Sequence, residues 1–252
     1  MPSDTFSNKS KLIREKNKVK YSRILIKLSG EHFRGEKDFG FSHDIFLKVA
    51  HQIKKLHFLG IELAIVIGGG NIFRGAKASD GVDRVNADNI GMLATLMNGL
   101  YLQNLLESIH TKTRLMSAVS MPTIAETYIR RRAVRHLEKG RIIILGSGTG
   151  NPFFTTDTAA VLRGREINAD IVVKCTNVDG VYDKDPAKYQ DAKKFDTIKF
   201  QQALSDNLKI MDSTAFSFSK THNLNIYVLD ISKEGALIDF VTGKGQGTLV
   251  KT

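Results

Sequence analysis

The segment Gly148-Thr149-Gly150-Asn151-Pro152-Phe153-Phe154-Thr155-Thr156-Asp157 does most to decide the fold. An apolar, strand-like run at residues 142–145 precedes it, and a helix-like run begins near Thr156. Its glycines let the backbone approach a ligand closely, and its threonines and asparagine supply short hydrogen-bonding side chains. Backbone N–H groups at the start of the next helix can bind an anion. These features are typical of a phosphate or nucleotide pocket, although one such segment could also be an ordinary strand-to-helix turn.

Strand-like and helix-like runs alternate around this segment, from Tyr21 to the end of the chain. The strand-like runs cover residues 23–28, 61–67, 115–118, 141–145, 171–175 and 226–229. A first helix is expected between a capping Ser42 and a closing Gly60. Further helices are expected at residues 85–109, 124–139, 156–168 and 213–222. The alternation predicts an α/β protein with a mainly parallel central sheet and helices on both faces, a three-layer sandwich.

Ligands bind such sheets at the loops that leave the carboxyl ends of the strands. Four glycine-bearing loops are expected there: residues 27–30, residues 68–71 with Arg74, residues 148–157, and residues 176–182 leading to Asp185. Lys27 can neutralise a phosphate oxygen, and consecutive N–H groups at residues 68–70 can surround an anion. Each feature alone could be a turn or a solvated side chain. Four of them at one edge indicate a large anionic ligand.

Two familiar nucleotide-binding patterns are absent from the sequence. Gly-x-x-x-x-Gly-Lys-Ser/Thr does not occur, which excludes a P-loop NTPase, and no Gly-x-Gly-x-x-Gly follows the first strand, which disfavours a dinucleotide-binding dehydrogenase. The histidines are scattered without metal-ligand spacing or a Ser/His/Asp arrangement. We therefore expect neither a catalytic histidine nor a dedicated metal cage.

The formal charge of +11 over 252 residues is the unusual compositional feature. The first 23 residues contain seven Lys or Arg against two acidic residues and lack periodic apolar positions, so residues 1–20 are predicted to be a flexible, solvated extension. A second basic cluster comprises Arg130, Arg131, Arg132, Arg135 and Arg141. Contact with RNA or another polyanion is one interpretation of these charges, and a solvated surface is the other.

The remaining composition is that of a soluble globular enzyme, with 42% hydrophobic and 25% charged residues. No apolar stretch reaches membrane-spanning length, and the first residues lack the apolar segment of a secretory signal. Cys175, the single cysteine, lies in an apolar run and is predicted to be a buried, inert thiol. A cytoplasmic setting is expected.

Several segments together resemble the amino acid kinase family. They are Ile26-Lys27-Leu28-Ser29-Gly30, Val66-Ile67-Gly68-Gly69-Gly70-Asn71-Ile72-Phe73-Arg74-Gly75, residues 148–157, Val178-Asp179-Gly180-Val181-Tyr182, Gly91-Met92-Leu93-Ala94-Thr95, Met97-Asn98-Gly99 and Met211-Asp212. Within the family, the similarity is greatest to the bacterial branch that phosphorylates uridylate (UMP), for which residues 148–157 are nearly diagnostic. The resemblance covers about residues 21–249. It implies a kinase-like domain at residues 21–252, with a phosphoacceptor-binding half at about 21–165 and an ATP-binding half at about 166–252.

The resemblance implies transfer of the γ-phosphoryl group of ATP to UMP, giving UDP and ADP in pyrimidine nucleotide biosynthesis. The acceptor phosphate, with a second pKa of ~6, is already a dianion at pH 7 and needs no general base. Mg²⁺ is expected to be held largely by the nucleotide. The resemblance also implies a homohexamer. The segment Gly35-Glu36-Lys37-Asp38-Phe39-Gly40 resembles one linked to GTP activation in some members, so a GTP or UTP effector stays open.

The same resemblance assigns roles to individual residues. Catalytic roles are implied for Lys27, Arg74, Asp157 and Asp212. UMP binding is implied for Gly69, Asp88, Thr149, Gly150, Asn151, Pro152, Phe153, Phe154, Thr155 and Thr156. ATP binding is implied for Lys27, Leu28, Ser29, Gly30, Gly70, Arg74, Thr176, Tyr182 and Asp185. Two alternatives stay open: a kinase of the same fold acting on a carboxylate or carbamate, and a basic nucleic-acid-binding regulator.

Overall fold

A nine-stranded sheet forms the central layer of the computed structural model, which describes residues 3–73 and 81–252. The strands of the chain are β1 (Arg23–Leu28), β2 (Glu62–Ile67), β3 (Thr113–Ser117), β4 (Glu126–Thr127), β5 (Ile142–Gly146), β6 (Ile171–Thr176), β7 (Val181–Tyr182), β8 (Lys194–Phe195), β9 (Thr197–Lys199), β10 (Ile226–Asp230) and β11 (Thr248–Lys251). The sheet has the order β4-β3-β5-β2-β1-β6-β10-β11-β9, and its neighbouring strands are parallel except for β10 and β11. Strands β7 and β8 pair separately as an antiparallel ribbon.

Helices cover both faces of this sheet, which confirms the predicted three-layer α/β architecture. They are α1 (Ser3–Lys16), α2 (His43–Phe58), α3 (Arg84–Ser108), α4 (Arg130–Glu138), α5 (Thr156–Glu166), α6 (Phe200–Ser205), α7 (Ser213–Thr221) and α8 (Ala236–Val241), with a short 3₁₀ helix at Gly30–Arg34. Apolar side chains of α2, α3 and α8 form the core on one face, and those of α4, α5 and α7 form the core on the other.

Strand β1 illustrates how the sequence divides between the two cores. Ile24, Ile26 and Leu28 belong to the core beside α2, whereas Leu25 belongs to the core beside α5. An almost continuous apolar run is expected for a parallel strand covered on both faces. Because side chains alternate across a strand, Lys27 lies on the same side as Leu25, towards α5.

Some predicted elements differ from the structure. The helix predicted at residues 124–139 is wrong in its first part, because Glu126 and Thr127 pair with β3 as an edge strand before α4 begins at Arg130. Ser42 is the N-cap of α2, but its side chain makes no capping hydrogen bond. The short elements β9, α6, α8 and β11 fell outside the predicted runs, because three to six residues carry too little periodicity.

Helix α1 (Ser3–Lys16) lies within residues 1–20, for which the sequence predicts a flexible extension. This helix lies near α4 and contacts Gly60, in the turn after α2. Ser10 is only 4% exposed, and the Arg14 guanidinium donates a hydrogen bond to the Gly60 carbonyl. Gly60 has a φ of +78°, and a Cβ placed there would lie 2.6 Å from the Ser10 carbonyl oxygen. The close contact and the backbone conformation both require glycine at residue 60.

We predict that Gly60→Ala destabilises the full chain more than it destabilises a chain lacking residues 1–20. In both chains alanine must adopt the left-handed conformation, at a cost of about 1–2 kcal/mol. Only in the full chain must it also displace α1. Urea unfolding of the four proteins gives the comparison, and equal losses in the two backgrounds would show that α1 does not dock at Gly60.

Candidate active site

Two lysines and one aspartate form a buried ionic cluster at the carboxyl edge of the sheet. Lys27 and Lys174 are directly paired in the register of β1 and β6, and both face α5. Asp157 lies in the first turn of α5 and reaches both of them, with Oδ1 2.7 Å from the Lys27 Nζ and Oδ2 2.7 Å from the Lys174 Nζ. The Lys174 Nζ also donates to the Ile210 carbonyl at 2.6 Å. The structure therefore brings together two predicted residues, Lys27 and Asp157, and adds Lys174.

The electrostatics of this cluster keep its carboxylate ionised. Burial by itself would raise the pKa of Asp157, but the ammonium groups of Lys27 and Lys174 outweigh burial and hold that pKa below its ordinary value. Burial lowers the pKa of Lys174, and the Lys27 charge lowers it further, while Asp157 opposes both effects. Two cations beside one carboxylate leave net positive charge, which suits an anionic ligand at this edge.

The loops after β1 and β2 pack against each other without side chains between them. A Cβ at Gly30 would lie 2.5 Å from the Gly68 carbonyl oxygen and 2.6 Å from the Gly70 nitrogen. The Gly68 N–H donates to the Leu28 carbonyl at 2.9 Å, while the Leu28 side chain is buried in the core. This close approach places two of the four predicted loops at one point beside Lys27.

The predicted segment 148–157 forms the loop between β5 and α5. Thr155 caps α5 by accepting hydrogen bonds from the backbone N–H groups of Asp157 and Thr158, at 3.0 and 3.3 Å. The Thr155 hydroxyl donates to Asp212, and the Thr158 hydroxyl lies 3.1 Å from the Asp212 Oδ1. Asp212 in turn caps α7 through the Ala215 N–H at 2.9 Å. In the described part of the chain, Asp212 thus joins α5 to α7 and makes no ion pair with Lys27.

Two clefts flank the ionic cluster. The first contains seven of the predicted UMP-binding residues, namely Gly69, Asp88, Thr149, Asn151, Phe154, Thr155 and Thr156. The second contains the predicted ATP-binding residues Thr176, Tyr182 and Asp185 together with Lys174. Lys174 in one cleft and Thr156 in the other are both adjacent to Asp157. The cluster therefore lies where the clefts approach each other.

Several predicted residues have contacts of a different kind. One Asp88 carboxylate oxygen, Oδ2, accepts from the Phe153 N–H at 2.8 Å and from the Arg84 Nε at 2.9 Å. Phe153 is 65% exposed and has a φ of +71°. Neither Phe153 nor its neighbours Gly150 and Pro152 line the first cleft. Arg74 lies outside the described residues.

Residues 35–40 border the glycine loop after β2 and not the two clefts. The Gly40 N–H donates to the Asn71 carbonyl at 2.7 Å, and the Asn71 side chain donates to the Gly40 carbonyl at 3.0 Å. Glu36 and Lys37 line a separate shallow groove with Arg34, Lys48 and Asn177. Any effector bound at residues 35–40 would be linked to the glycine loop through Gly40.

Sequence reasoning missed Lys174 and gave no role to Thr95 and Asn98, although both lie in segments that carry the family resemblance. A lysine inside the otherwise apolar run at residues 171–175 was the available signal for Lys174. Thr95 and Asn98 are buried on α3, where their hydrogen bonds depend on tertiary packing. Cys175 is buried as predicted, and burial raises the pKa of its thiol above the ordinary range.

Residues 3–73 and 81–252 contain no group of three or more His, Cys, Asp or Glu side chains arranged to hold a metal ion. Across the same residues, each helix is too short or too polar to span a membrane.

A mainly parallel sheet with glycine loops and a cationic cluster at its carboxyl edge is typical of enzymes that bind nucleotides and transfer phosphoryl groups. Comparison with known proteins is more specific. The amino acid kinase family profile matches residues 22–230, and a uridylate kinase of Ehrlichia ruminantium (strain Welgevonden) is 52% identical over 236 residues, which are 93% of this chain and 97% of that protein. The chain belongs to the amino acid kinase family.

Two solved structures share the whole fold. The crystal structure of a UMP kinase from Bacillus anthracis matches with a TM-score of 0.89 and 39% identity, covering 92% of this chain and 96% of that chain. The crystal structure of a UMP kinase from Ureaplasma parvum matches with a TM-score of 0.88 and 36% identity, covering 92% of this chain and 99% of that chain.

We predict that Asp157→Asn lowers the free energy of unfolding by about 3–5 kcal/mol, because it leaves the buried Lys27 and the partly buried Lys174 without this counter-charge. The folded-state pKa of Asp157 lies below its unfolded value near 4. The contribution of Asp157 to the free energy of unfolding is therefore complete above pH ~4 and is lost as the pH falls through the folded-state pKa. The free energy of unfolding of the variant should consequently depend less on pH below pH ~4.

Asp191→Asn is the matched control, because Asp191 pairs with Lys184 at 2.5 Å but is 77% exposed. We expect it to change stability little, since exposed pairs contribute little. Urea unfolding between pH 3 and 8 makes the comparison. If Asp157→Asn behaved like Asp191→Asn, the buried cluster would not be a stabilising ion pair.

Proposed function

We propose that this protein is an ATP-dependent UMP kinase, which transfers the γ-phosphoryl group of ATP to UMP and releases UDP and ADP. The observation that carries the proposal is the Lys27–Asp157–Lys174 cluster between two clefts. The close similarity to a uridylate kinase and to two UMP kinase structures supports UMP as the acceptor. The same similarity argues against a carboxylate or carbamate acceptor. We place the reaction in pyrimidine nucleotide biosynthesis in the cytoplasm.

The acceptor would bind in the first cleft and the donor in the second. Thr149, Asn151 and Thr156 offer hydroxyl and amide groups to UMP, and Asp88 offers a carboxylate to its ribose. Thr176, Tyr182 and Asp185 would hold the adenosine of ATP. In this arrangement the UMP phosphate and the γ-phosphate of ATP meet beside Lys27.

The reaction itself requires positioning and charge neutralisation. An oxygen of the UMP phosphate attacks the γ-phosphorus, the bond to the β-phosphate oxygen breaks, and ADP leaves. The attacking phosphate is mostly a dianion at pH 7, since its second pKa is ~6, so no base has to remove a proton. Lys27 and Lys174 would neutralise charge on the transferring group, and the backbone N–H groups of the glycine loop would hold the donor phosphates.

Asp157 acts on this chemistry through the two lysines. Its carboxylate fixes both ammonium groups and offsets the repulsion between them.

We also assign a phosphate contact to Arg74 from the family resemblance. Mg²⁺ would shield the β- and γ-phosphate oxygens. Because Asp157 and Asp212 already accept several hydrogen bonds or ion pairs, we expect the nucleotide to supply most of the metal ligands.

We predict that the purified protein releases ADP from ATP with UMP and far less with N-acetylglutamate or aspartate. Lys27→Ala should lower kcat by about two orders of magnitude or more, with smaller changes in KM, because Lys27 acts on charge that develops in the transition state. A coupled ADP-release assay with UMP, CMP and the two carboxylates measures both effects. Absence of turnover with UMP would refute the proposed function, and near-normal kcat would remove Lys27 from the mechanism.

We further propose that the enzyme is a homo-oligomer assembled through α3, and by family resemblance a hexamer. Ile90, Leu93, Met97 and Leu100 are each 41–49% exposed, and their spacing places them on one face of the helix. An exposed apolar stripe on a long helix is typical of a protein interface. We also propose that residues 35–40 bind GTP or UTP as an effector.

We predict that Met97→Glu reduces the molecular mass measured by light scattering, because a charge would be buried in the apolar contact. Leu204→Glu is the matched control, since Leu204 is 43% exposed on α6, away from this stripe. A monomeric wild-type protein, or unchanged mass for Met97→Glu, would contradict assembly through α3.

A further inference from the structure

Helix α3 makes buried hydrogen bonds to both of the loops that leave β2 and β5. Asn98 donates to the Gly68 carbonyl at 2.7 Å, and Thr95 accepts from the Ser147 N–H at 2.8 Å. Asn98 and Thr95 are 0% and 3% exposed. Residues three apart lie on one face of a helix, and β2 and β5 are parallel neighbours in the sheet. The two loops therefore leave the sheet side by side, and α3 contacts both.

The bond from Asn98 belongs to a fully paired amide network. Asn98 donates to the Asn71 Oδ1 at 2.7 Å, and Asn71 donates to the Asn98 Oδ1 at 2.9 Å. The second bonds of the two amide nitrogens go to the carbonyls of Gly68 and Gly40. Because both side chains are buried and all of their amide N–H groups are used, this network favours one arrangement of residues 68–71. Gly68 lies against Gly30, so the network also fixes the approach of that loop.

The bond from Thr95 supports a residue in an unfavourable conformation. Ser147 is fully buried and has a φ of +60°, which is costly for a residue other than glycine. Its N–H is satisfied by the Thr95 hydroxyl, which itself donates to the Met92 carbonyl at 2.8 Å. The Ser147 hydroxyl lies 2.9 Å from the Ser117 hydroxyl. Gly148 and Thr149, in the first cleft, follow directly.

We propose that Thr95 and Asn98 are positioning residues that set the distance between the glycine loop after β2 (residues 68–71) and the UMP loop after β5 (residues 147–155). This inference rests on the proposed function and deepens it, because phosphoryl transfer requires the two phosphates in line and in near contact. A displacement of about 1 Å is enough to slow such a reaction about 100-fold. Because Thr95 and Asn98 lie on one turn of α3, a shift of that turn would move both loops together. Supports on two separate elements would let each loop move alone.

The test compares Thr95→Val with Thr95→Ser. Valine has nearly the shape of threonine but cannot accept the Ser147 hydrogen bond, whereas serine retains the hydroxyl. We expect Thr95→Val to lower kcat with UMP about 10- to 100-fold and to raise KM for UMP, while KM for ATP changes less than about threefold. Thr95→Ser should recover kcat to within about threefold. Asn98→Ala should lower kcat and raise KM for both substrates, because the loop it releases carries Gly69 in the first cleft and Gly70, which is assigned to ATP.

Thr113→Val controls for the loss of a buried threonine hydroxyl. Thr113 is 0% exposed and bonds to Glu107 and Gln103, at the amino end of β3 and away from the clefts. We expect it to lower the melting temperature without altering the kinetic constants. The inference is refuted if Thr95→Val loses melting temperature as Thr113→Val does while keeping wild-type kinetics, or if it raises KM for UMP without lowering kcat.

Two other results also bear on the positioning role. If Asn98→Ala does not fold, the Thr95 series decides the inference by itself, because its side-chain volumes are nearly conserved. If the wild-type protein binds neither UMP nor ATP in calorimetry and shows no turnover, the proposed function fails and this inference fails with it. An active wild type with kinetically silent Thr95→Val overturns only the positioning role.

Discussion

The contact of Asp157 with Lys27 and Lys174 is the interaction on which the rest of the structure depends. Adjacent parallel strands place the two lysines side by side, and like charges in such positions repel each other. A carboxylate between them converts this repulsion into a stable buried cluster with net positive charge. The need for a carboxylate between the two lysines fixes where α5 begins, because the first turn of α5 must place Asp157 over the sheet edge. The start of α5 in turn fixes the end of the loop at residues 148–157.

The remaining geometry of the site follows from how closely the backbone segments approach that cluster. Gly30 permits the loop after β1 to touch the loop after β2, where a larger residue would collide with backbone atoms. Helix α3 supports the second loop through Asn98 and the UMP loop through Thr95. Asp212 joins α5 to α7 behind the cluster. The site is therefore held by hydrogen bonds from three helices, which explains how flexible glycine segments can present one defined surface.

Much of the fold could be predicted from sequence because β1, β2, β5 and β6 are apolar runs of five or six residues, and their alternation with helical runs indicates a parallel sheet. Prediction is limited where tertiary contacts override local pattern. Glu126 and Thr127 look helical but pair with the edge of β3. Residues 3–16 look solvated, yet Ser10 and Arg14 of α1 pack on Gly60. Neither contact leaves a signal in the local sequence.

The sequence by itself determined the strand–loop–helix units, the glycines at the loops and the presence of Lys27 and Asp157 next to them, since these depend on local periodicity and conformational preference. It also carried the family resemblance. Only the tertiary structure decided that Lys174 completes the cluster, that Asp212 contacts threonines and not Lys27, and that Thr95 and Asn98 support neighbouring loops. Those facts depend on strand register and on which helix face meets the sheet. Both are set by packing between segments tens of residues apart, so no local pattern encodes them.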